Sequence, residues 1–295
     1  MSMLNEKAIL NSKIGIVAHD SGGAHYIQSF INYHLISPYV YSKGPASKIF
    51  DSIKGAQFCS SINEIISKVD VLILGSGWES NFEIKALINA KSKVTTITFL
   101  DHWTNYIERF NHKNQQILPD YIVVYDKYAY ELAKKVFPNN QNILLLKNYY
   151  IIEQTRESNL YDNNSKYILF IDEPIRSHVK SEKKYDYDEF TGISFFLQYI
   201  EKSKYRKEEI KIRLHPSEKH LDKYNSIIKK FPNVSLSKGN SLVQDILNSK
   251  FVVGFESMAL VVSLGLNKLV YNIIPPDCIK SSLPHSGIKT FYNEI

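Results

Sequence analysis

Residues that could hold a phosphate follow two predicted strands in the second half of the chain. His215 and Pro216 come after residues 210–214, and Ser257 comes shortly after residues 251–253. In an open α/β sheet, ligands bind beyond the carboxyl ends of the strands. A histidine beside a rigid proline and a serine at the start of a helix are both suited to donate to an anion. The pattern predicts that His215 and Ser257 meet over one phosphate of a nucleotide-activated substrate.

Three further residues extend this predicted nucleotide site. Gly254 allows a tight turn after its strand, and Glu256 could accept hydrogen bonds from a ribose or a base. Glu173 follows the apolar run 167–171 and could also contact the nucleotide. Structural alternatives stay open, because a serine at such a position is commonly a helix N-cap and a loop histidine can pack against a tyrosine.

A candidate general base lies near the start of the chain. Asp20 follows the predicted strand 13–19 and is followed by Gly22 and Gly23. The glycines let the backbone turn sharply and approach a ligand closely, which suits contact with an acceptor. At the carboxyl end of a strand Asp20 is well placed to take a proton, and the alternative is a helix N-cap. The segment is neither a Walker loop nor GxGxxG, so it predicts no phosphate cradle.

Candidate acceptor-binding residues follow the next two strands. Ser76 and Trp78 lie in a short polar loop, and Trp78 could stack on a sugar ring or pack in the core. Asp101, His102 and Arg109 belong to the densest polar and aromatic cluster of the chain. We expect Asp101 to orient His102 and Arg109 to hold an acidic sugar. The chain has no HExxH and no cysteine cluster, and its one DxD, at residues 186–188, precedes a predicted helix that such acids would cap, so we expect no metal ion and no cofactor.

The elements that would position these residues alternate between β-branched apolar runs and amphipathic helices. Such alternation predicts a parallel sheet covered by helices. The pattern breaks in the polar stretch 153–165 and then restarts, so this stretch is predicted to be a linker. We predict an α/β protein with two Rossmann-like domains facing across a cleft. Residues 1–156 would bind the acceptor and residues 157–295 the nucleotide-sugar donor.

Composition narrows the class of protein. The 295 residues are 44% hydrophobic and carry a formal net charge of +6, which suits a phosphorylated ligand and does not require nucleic acid. Cys59 and Cys278 form no CxxC and favour a reducing compartment. No apolar run has the length of a membrane span. We therefore expect a cytoplasmic protein, with peripheral contact to the inner membrane left open.

Taken together, the His215-Pro216 pair and Ser257 resemble motifs of bacterial glycosyltransferases with two Rossmann domains, the GT-B type. More narrowly, they resemble sialyltransferase-like enzymes that transfer nonulosonic acids (pseudaminic or legionaminic) or Kdo in surface polysaccharide synthesis. The resemblance implies a CMP-activated donor, a glycan or glycolipid acceptor, inversion at the anomeric carbon and no metal. It implies that His215 and Ser257 hold the CMP phosphate and that a carboxylate of the first domain, here Asp20, deprotonates the acceptor.

The chain departs from these families in two respects. Asp20-Ser21-Gly22 only partly matches the acid-rich base motif of some sialyltransferases, and the crossing C-terminal helix could only lie after Ser286. Other functions remain open. They are a nucleotide-sugar hydrolase or epimerase using His25, His102 or Asp101, a non-catalytic binding module, and a CDP-glycerol-type glycerophosphotransferase.

Overall fold

The chain divides into two compact units, Met1–Glu153 and Gln154–Ile295, which we call unit 1 and unit 2. The computed structural model describes residues 6–77, 80–139, 142–158, 165–178, 186–216 and 218–293. In this part of the chain, no helix combines the length and the apolar character needed to cross a membrane.

Unit 1 is built around a parallel sheet. The strands of unit 1 are β1 (Ile14–Ala18), β2 (Tyr39–Ser42), β3 (Gln57–Phe58), β4 (Val71–Leu74), β5 (Thr95–Phe99), β6 (Asn111–His112), β7 (Gln115–Gln116), β8 (Tyr121–Val124) and β9 (Ile143–Leu145). Its helices are α1 (Glu6–Leu10), α2 (Ser21–Tyr33), α3 (Pro45–Phe50), α4 (Ile62–Ile66), α5 (Phe82–Ala90), α6 (Tyr106–Arg109) and α7 (Lys127–Val136). Helix α8 (Tyr149–Ser158) runs across the boundary into unit 2. The sheet order is β3-β2-β1-β4-β5-β8-β9, and β6 and β7 form a separate antiparallel ribbon.

The central strands of unit 1 are buried on both faces. Every residue of β1 and β4 is buried, as expected for strands that helices cover from both sides. The two strands pair in parallel, with Val17 opposite Leu74. From β1 the chain builds the sheet outward in one direction and then, starting with β4, in the other. Between the carboxyl ends of β1 and β4 the sheet therefore has its topological switch point, where open α/β sheets bind ligands.

Unit 2 repeats this arrangement. Its strands are β10 (Tyr167–Ile171), β11 (Ile210–Arg213), β12 (Val234–Leu236), β13 (Ser249–Gly254), β14 (Val270–Asn272) and β15 (Ile288–Thr290). Its helices are α9 (Ile175–His178), α10 (Glu189–Lys202), α11 (Asn225–Lys230), α12 (Leu242–Leu247) and α13 (Met258–Gly265), and a 3-10 turn covers Phe291–Asn293. The parallel sheet has the order β12-β11-β10-β13-β14-β15, which places the switch point between β10 and β13.

Aromatic side chains fill the core of unit 2. Phe170, Phe196, Phe255 and Phe291 are fully buried and contact one another edge to face or at a tilt. Gly192 of α10 allows Phe255 to approach, because a Cβ at this position would lie 2.2 Å from the phenyl ring. The loop that follows β13 is thus anchored in the core at Phe255, next to the candidate residues Glu256 and Ser257.

Two features considered in the sequence analysis differ in the structure. The predicted linker 153–165 begins as the end of helix α8, since Tyr149 packs against Phe30 and Asn148 accepts from the amide of Ile151. Residues 159–164 of that stretch lie outside the described residues. No crossing helix follows Ser286 in the described residues, because the chain adds β15 to the sheet of unit 2.

Strand β2 and helix α3 were not predicted from the sequence. Strand β2 is short and only its second residue, Val40, is buried, so its apolar signal is weak. Helix α3 begins with Pro45 after Gly44, which has a φ of +58°. A proline at the first helical position is favourable because it lacks an amide hydrogen that would have no partner. Both elements border the carboxyl end of β1 and shape the surface beside it.

Candidate functional site

In unit 1, glycines let the loops after β1, β4 and β5 approach one another closely. A Cβ on Gly22 would lie 2.0 Å from Oδ2 of Asp101, and one on Gly23 would lie 3.1 Å from the Cα of Gly75. A side chain at Gly22 would displace the carboxylate of Asp101, and one at Gly23 would press on the backbone of Gly75. The predicted acceptor-binding residues Gly22, Gly23, Ser76 and Asp101 are thereby brought to one edge of the sheet.

Arg109 holds these loops together through hydrogen bonds. Its NH1 donates to the carbonyl oxygen of Ser76 at 2.6 Å, to Oγ of Ser76 at 3.0 Å and to Oδ1 of Asp101 at 2.8 Å. Its Nε donates to the carbonyl oxygen of Thr104 at 3.1 Å. The Arg109 residue is only 9% exposed. The structure therefore favours a bracing role over the predicted contact with an acidic sugar.

The expected pairing of Asp101 with His102 is wrong. Oδ1 of Asp101 accepts from Arg109 and from the hydroxyl of Ser76. His102 instead has Nδ1 at 3.0 Å from Oγ1 of Thr104. Burial explains the difference, because a buried guanidinium needs an anionic partner more than a partly exposed imidazole does. Trp78, the predicted sugar-stacking residue, lies outside the described residues.

Asp20 occupies the N-cap position of α2 without capping it. Its backbone is extended, with φ −88° and ψ 151°, and its side chain accepts no hydrogen bond from the helix. Oδ1 lies 2.6 Å from Nδ1 of His19, and the side chains of His19 and Asp20 are 32% and 33% exposed. The alternative role as a helix cap is therefore not realised by the side chain. A carboxylate that is accessible and held by one histidine can take a proton from a bound hydroxyl.

Glu83 is a neighbour of Asp20 that the sequence analysis missed. It lies in the first turn of α5 and is only 4% exposed. Its Oε1 accepts from the amide of His19 at 2.7 Å and its Oε2 from the hydroxyl of Ser80 at 3.1 Å. Burial raises the pKa of Glu83, and the nearby charge of Asp20 raises it further. The sequence signal that could have identified Glu83 is a single acidic residue among apolar residues at the start of a predicted helix.

In unit 2, the residues after β10 and β13 hold one another in place. Oε2 of Glu173 accepts from the amide of Glu256 at 3.0 Å, and the carboxylate of Glu256 accepts from the amide of Ser282. Gly254 lets β13 lie close to β10, since a Cβ there would lie 3.2 Å from the carbonyl oxygen of Ile171. Glu173 and Glu256 thus connect the loops on the two sides of the switch point. To contact a nucleotide as well, each would have to use its other carboxylate oxygen.

Ser257 caps helix α13. Its Oγ accepts from the amide of Ala259 at 3.2 Å, which leaves the hydroxyl hydrogen available as a donor. The N-terminal amides of the helix add a partial positive charge at the same place. This cap role was the structural alternative for Ser257, and it is compatible with contact to an anion.

His215 and Pro216 follow β11, one strand removed from β13. Since β10 lies between these strands and neighbouring strands are about 4.8 Å apart, the two strand ends are separated by roughly 10 Å. A phosphate contacted by both His215 and Ser257 would therefore lie over the end of β10. The carbonyl oxygen of His215 accepts from the amide of Glu218 at 2.9 Å, which closes the turn after the strand.

Comparison with known proteins identifies solved structures whose fold is similar to that of this chain. No family model matches it, and no curated protein matches it in sequence. Among solved structures, it is similar to a UDP-GlcNAc 2-epimerase of Neisseria meningitidis bound to UDP-GlcNAc, with a TM-score of 0.56 at 14% identity over 88% of this chain and 82% of that one. A UDP-N-acetylglucosamine 2-epimerase of Rickettsia bellii gives a TM-score of 0.57 at 12% identity, over 92% and 81%.

A third similar structure is the glycotransferase of kitacinnamycin, with a TM-score of 0.52 at 9% identity over 90% of this chain and 81% of that one. The chain shares a two-unit α/β fold with these proteins. The likeness confirms the α/β class and the two Rossmann-like units predicted from the sequence. At this level of identity it establishes the fold and leaves the chemistry to the residues at the strand ends.

A buried ionic cluster underlies the switch point of unit 2. Asp172, which directly follows β10, accepts from the hydroxyl of Tyr224 at 2.5 Å and pairs with Nζ of Lys223 at 2.9 Å. Lys223 also contacts Glu218 at 2.8 Å and Glu189 at 3.5 Å. Hydrogen bonds to these acids raise the pKa of Lys223 although its burial lowers it. Among the described residues, no group of three His, Cys, Asp or Glu side chains is arranged to hold a metal ion.

Proposed function

We propose that this protein transfers a sugar from a nucleotide-sugar donor to a glycan or glycolipid acceptor in surface polysaccharide synthesis, with inversion at the anomeric carbon. The observation that carries this proposal is the state of Asp20. It stands at the switch point of unit 1, accessible and released from helix capping. The hydroxyl-capped helix end at the switch point of unit 2 supports a role of that unit in holding the nucleotide.

In the proposed reaction, the acceptor oxygen attacks the anomeric carbon while the bond from that carbon to the phosphate oxygen breaks. The acceptor proton passes to Asp20. The departing nucleotide gains negative charge, which His215, Ser257 and the amides of α13 would stabilise more in the transition state than in the ground state. One such donor typically contributes about 3 kcal/mol to transition-state stabilisation. These donors would take the role of a metal cation, so we expect activity to persist in EDTA.

For the donor, we propose a CMP-activated acidic sugar of the nonulosonic type. This finer assignment is supported by the resemblance of the His215-Pro216 and Ser257 segments to motifs of such transferases. The test is calorimetric titration of the protein with CMP, CDP, UDP and GDP, followed by incubation of the preferred nucleotide sugar with and without acceptor. Tight binding of CMP and acceptor-dependent release of CMP support the proposal. Preference for another nucleotide contradicts the assignment of the donor.

A second candidate function is epimerisation or hydrolysis of a nucleotide sugar. Glu83 favours it, because two neighbouring carboxyl groups whose environments differ, here Asp20 and Glu83, can serve as base and acid. The similar structures from Neisseria and Rickettsia are 2-epimerases of UDP-N-acetylglucosamine. Incubation with UDP-N-acetylglucosamine alone, followed by proton NMR of the sugar, separates the candidates. An epimerase or hydrolase consumes its substrate without acceptor, whereas a transferase does not.

A further inference from the structure

An open pocket of about 540 Å³ lies beside the His19–Asp20 pair in unit 1. It is formed where the end of β2 faces the first half of α5, and the side chains that matter for its chemistry are His19, Tyr41, Lys43, Phe82 and Lys85. A volume of this size accommodates one sugar residue with a substituent. Among the residues that the structure describes, no predicted acceptor-binding residue lines it, so the pocket is a feature that the sequence analysis did not foresee.

The charge of the pocket is positive. Lys43 and Lys85 line it, and its described lining contains no Asp or Glu. Among the ion pairs of the described residues, none includes Lys43 or Lys85. Nζ of Lys43 lies 5.7 Å from the ring centroid of Phe82, which holds the ammonium group over the aromatic wall. The pocket is therefore complementary to an anion.

The aromatic wall gives the pocket a second property. The rings of Tyr41 and Phe82 have centroids 5.1 Å apart, and the imidazole of His19 lies 6.1 Å from Phe82. Aromatic faces bordered by polar groups suit the apolar face of a sugar ring. Polar groups of Ser80, Asn81 and Asn89 complete the lining.

His19 connects the pocket to the candidate base. Its ring lines the pocket, and its Nδ1 is 2.6 Å from Oδ1 of Asp20. The amide of His19 is in turn fixed by Oε1 of Glu83 at 2.7 Å. A hydroxyl group of a bound sugar that reaches His19 is one hydrogen bond away from the carboxylate that would take its proton.

We propose that this pocket binds the acceptor, and that the acceptor is an anionic saccharide whose phosphate or carboxylate is neutralised by Lys43 and Lys85. That the bound saccharide is the acceptor rests on the proposed function. That the pocket recognises an anionic sugar rests on the charges and contacts of the pocket alone. The ring of the saccharide would lie against Phe82 and Tyr41, with a hydroxyl group directed at His19.

The test is calorimetric titration of the full-length protein with glucose 6-phosphate, glucuronic acid and glucose. The first two probes separate phosphate from carboxylate recognition, and glucose is the uncharged control. We expect the K43Q/K85Q variant to bind the preferred anionic probe about tenfold more weakly and glucose as before, since two ammonium groups are lost. The matched variant K93Q/K113Q removes two exposed lysines of unit 1 outside the pocket and should bind like the wild type.

Equal affinity of K43Q/K85Q and the wild type for both anionic probes would overturn the proposal, as would equal weakening in K93Q/K113Q. Binding of CMP provides the readout that separates the two ideas. If K43Q/K85Q loses the anionic sugar while CMP binding and fold are retained, the pocket is supported even where no sugar transfer is detected. Absence of transfer with every nucleotide sugar would then count against the proposed function and not against the pocket.

Discussion

The carboxylates that follow the central strand of each unit are held in opposite ways. Asp172, after β10, is 1% exposed, forms an ion pair with Lys223 and accepts a hydrogen bond from the hydroxyl of Tyr224. Asp20, after β1, is one-third exposed, and its ion-pair partner among the described residues is His19. An acid just beyond the central strand of the same sheet topology is therefore a structural anchor in unit 2 and stays accessible in unit 1, where we propose that it acts as the base. Sequence position alone does not distinguish these roles, but burial does.

A second buried acid of unit 2 is also held by partners within the unit. Asp245 is fully buried and accepts from Arg213, Ser237, Asn240 and Tyr167. A carboxylate that is paired with a cation repels a phosphate less than an unpaired one does. Unit 1 keeps an accessible carboxylate and a lysine-lined pocket at its corresponding edge. The contrast fits a division of labour between holding a nucleotide and activating an acceptor.

The sharpest way to break this comparison is to remove the accessible carboxylate. Asp20→Asn should lower the turnover of sugar transfer by roughly 10²- to 10⁴-fold, because the proton acceptor is lost. Steady-state release of nucleotide measures the effect, and calorimetry should show unchanged nucleotide affinity. Asp51→Asn, at an exposed helix end of unit 1, is the matched control and should retain full activity. A D20N variant with near-normal turnover would assign the base elsewhere.

The anchor in unit 2 should respond in stability. Lys223→Met leaves Asp172, Glu189 and Glu218 without their cation, and removing one partner of a buried ionic cluster costs about 3–5 kcal/mol. Urea denaturation followed by circular dichroism measures the free energy of unfolding. Lys238→Met, at an exposed lysine of unit 2, should change it by less than about 0.5 kcal/mol. Equal stability of the two variants would show that the cluster is not an anchor.

The donors at the end of unit 2 should respond in nucleotide affinity. Ser257→Ala removes a hydroxyl and should weaken CMP binding about tenfold, as expected for one hydrogen bond. Ser257→Thr keeps the hydroxyl and should restore binding. Ser241, which caps α12 in the same way, is the matched control. Ser241→Ala should lose about 1 kcal/mol of stability like Ser257→Ala while CMP affinity is unchanged. If both caps affect CMP binding equally, Ser257 has no special role.

The smallest effect concerns Glu83. Its folded-state pKa is raised above the ordinary value of 4.5, so the folded protein binds more protons than the unfolded chain just above that pH. Stability should therefore fall as the pH rises from about 4.5 through the raised pKa. In Glu83→Gln this contribution is absent, so the variant should gain stability relative to the wild type over the same interval. Urea denaturation at a series of pH values measures the difference, and parallel curves would contradict it.

Much of the fold was predictable because its signals are local. The buried strands β1, β4, β5 and β10 appear in the sequence as short β-branched runs, and their parallel pairing follows from the helices between them. Strand β2 was missed because a mostly half-buried strand of four residues has little periodicity to detect. Asp20, Ser76 and Asp101 could be assigned to one sheet edge, because the carboxyl ends of parallel strands meet there.

The individual roles at that edge depended on contacts between distant residues. Arg109 reaches Ser76, 33 positions earlier in the chain, and Glu83 fixes His19 across 64 positions. No spacing in the sequence announces such pairs. The sequence by itself determined which strands exist, that they form two Rossmann-like sheets, and which polar residues reach the strand ends, because these follow from hydrophobic periodicity. Only the tertiary structure decided which of those residues are neutralised within the protein and which remain available, because burial and pairing arise from packing between separate segments.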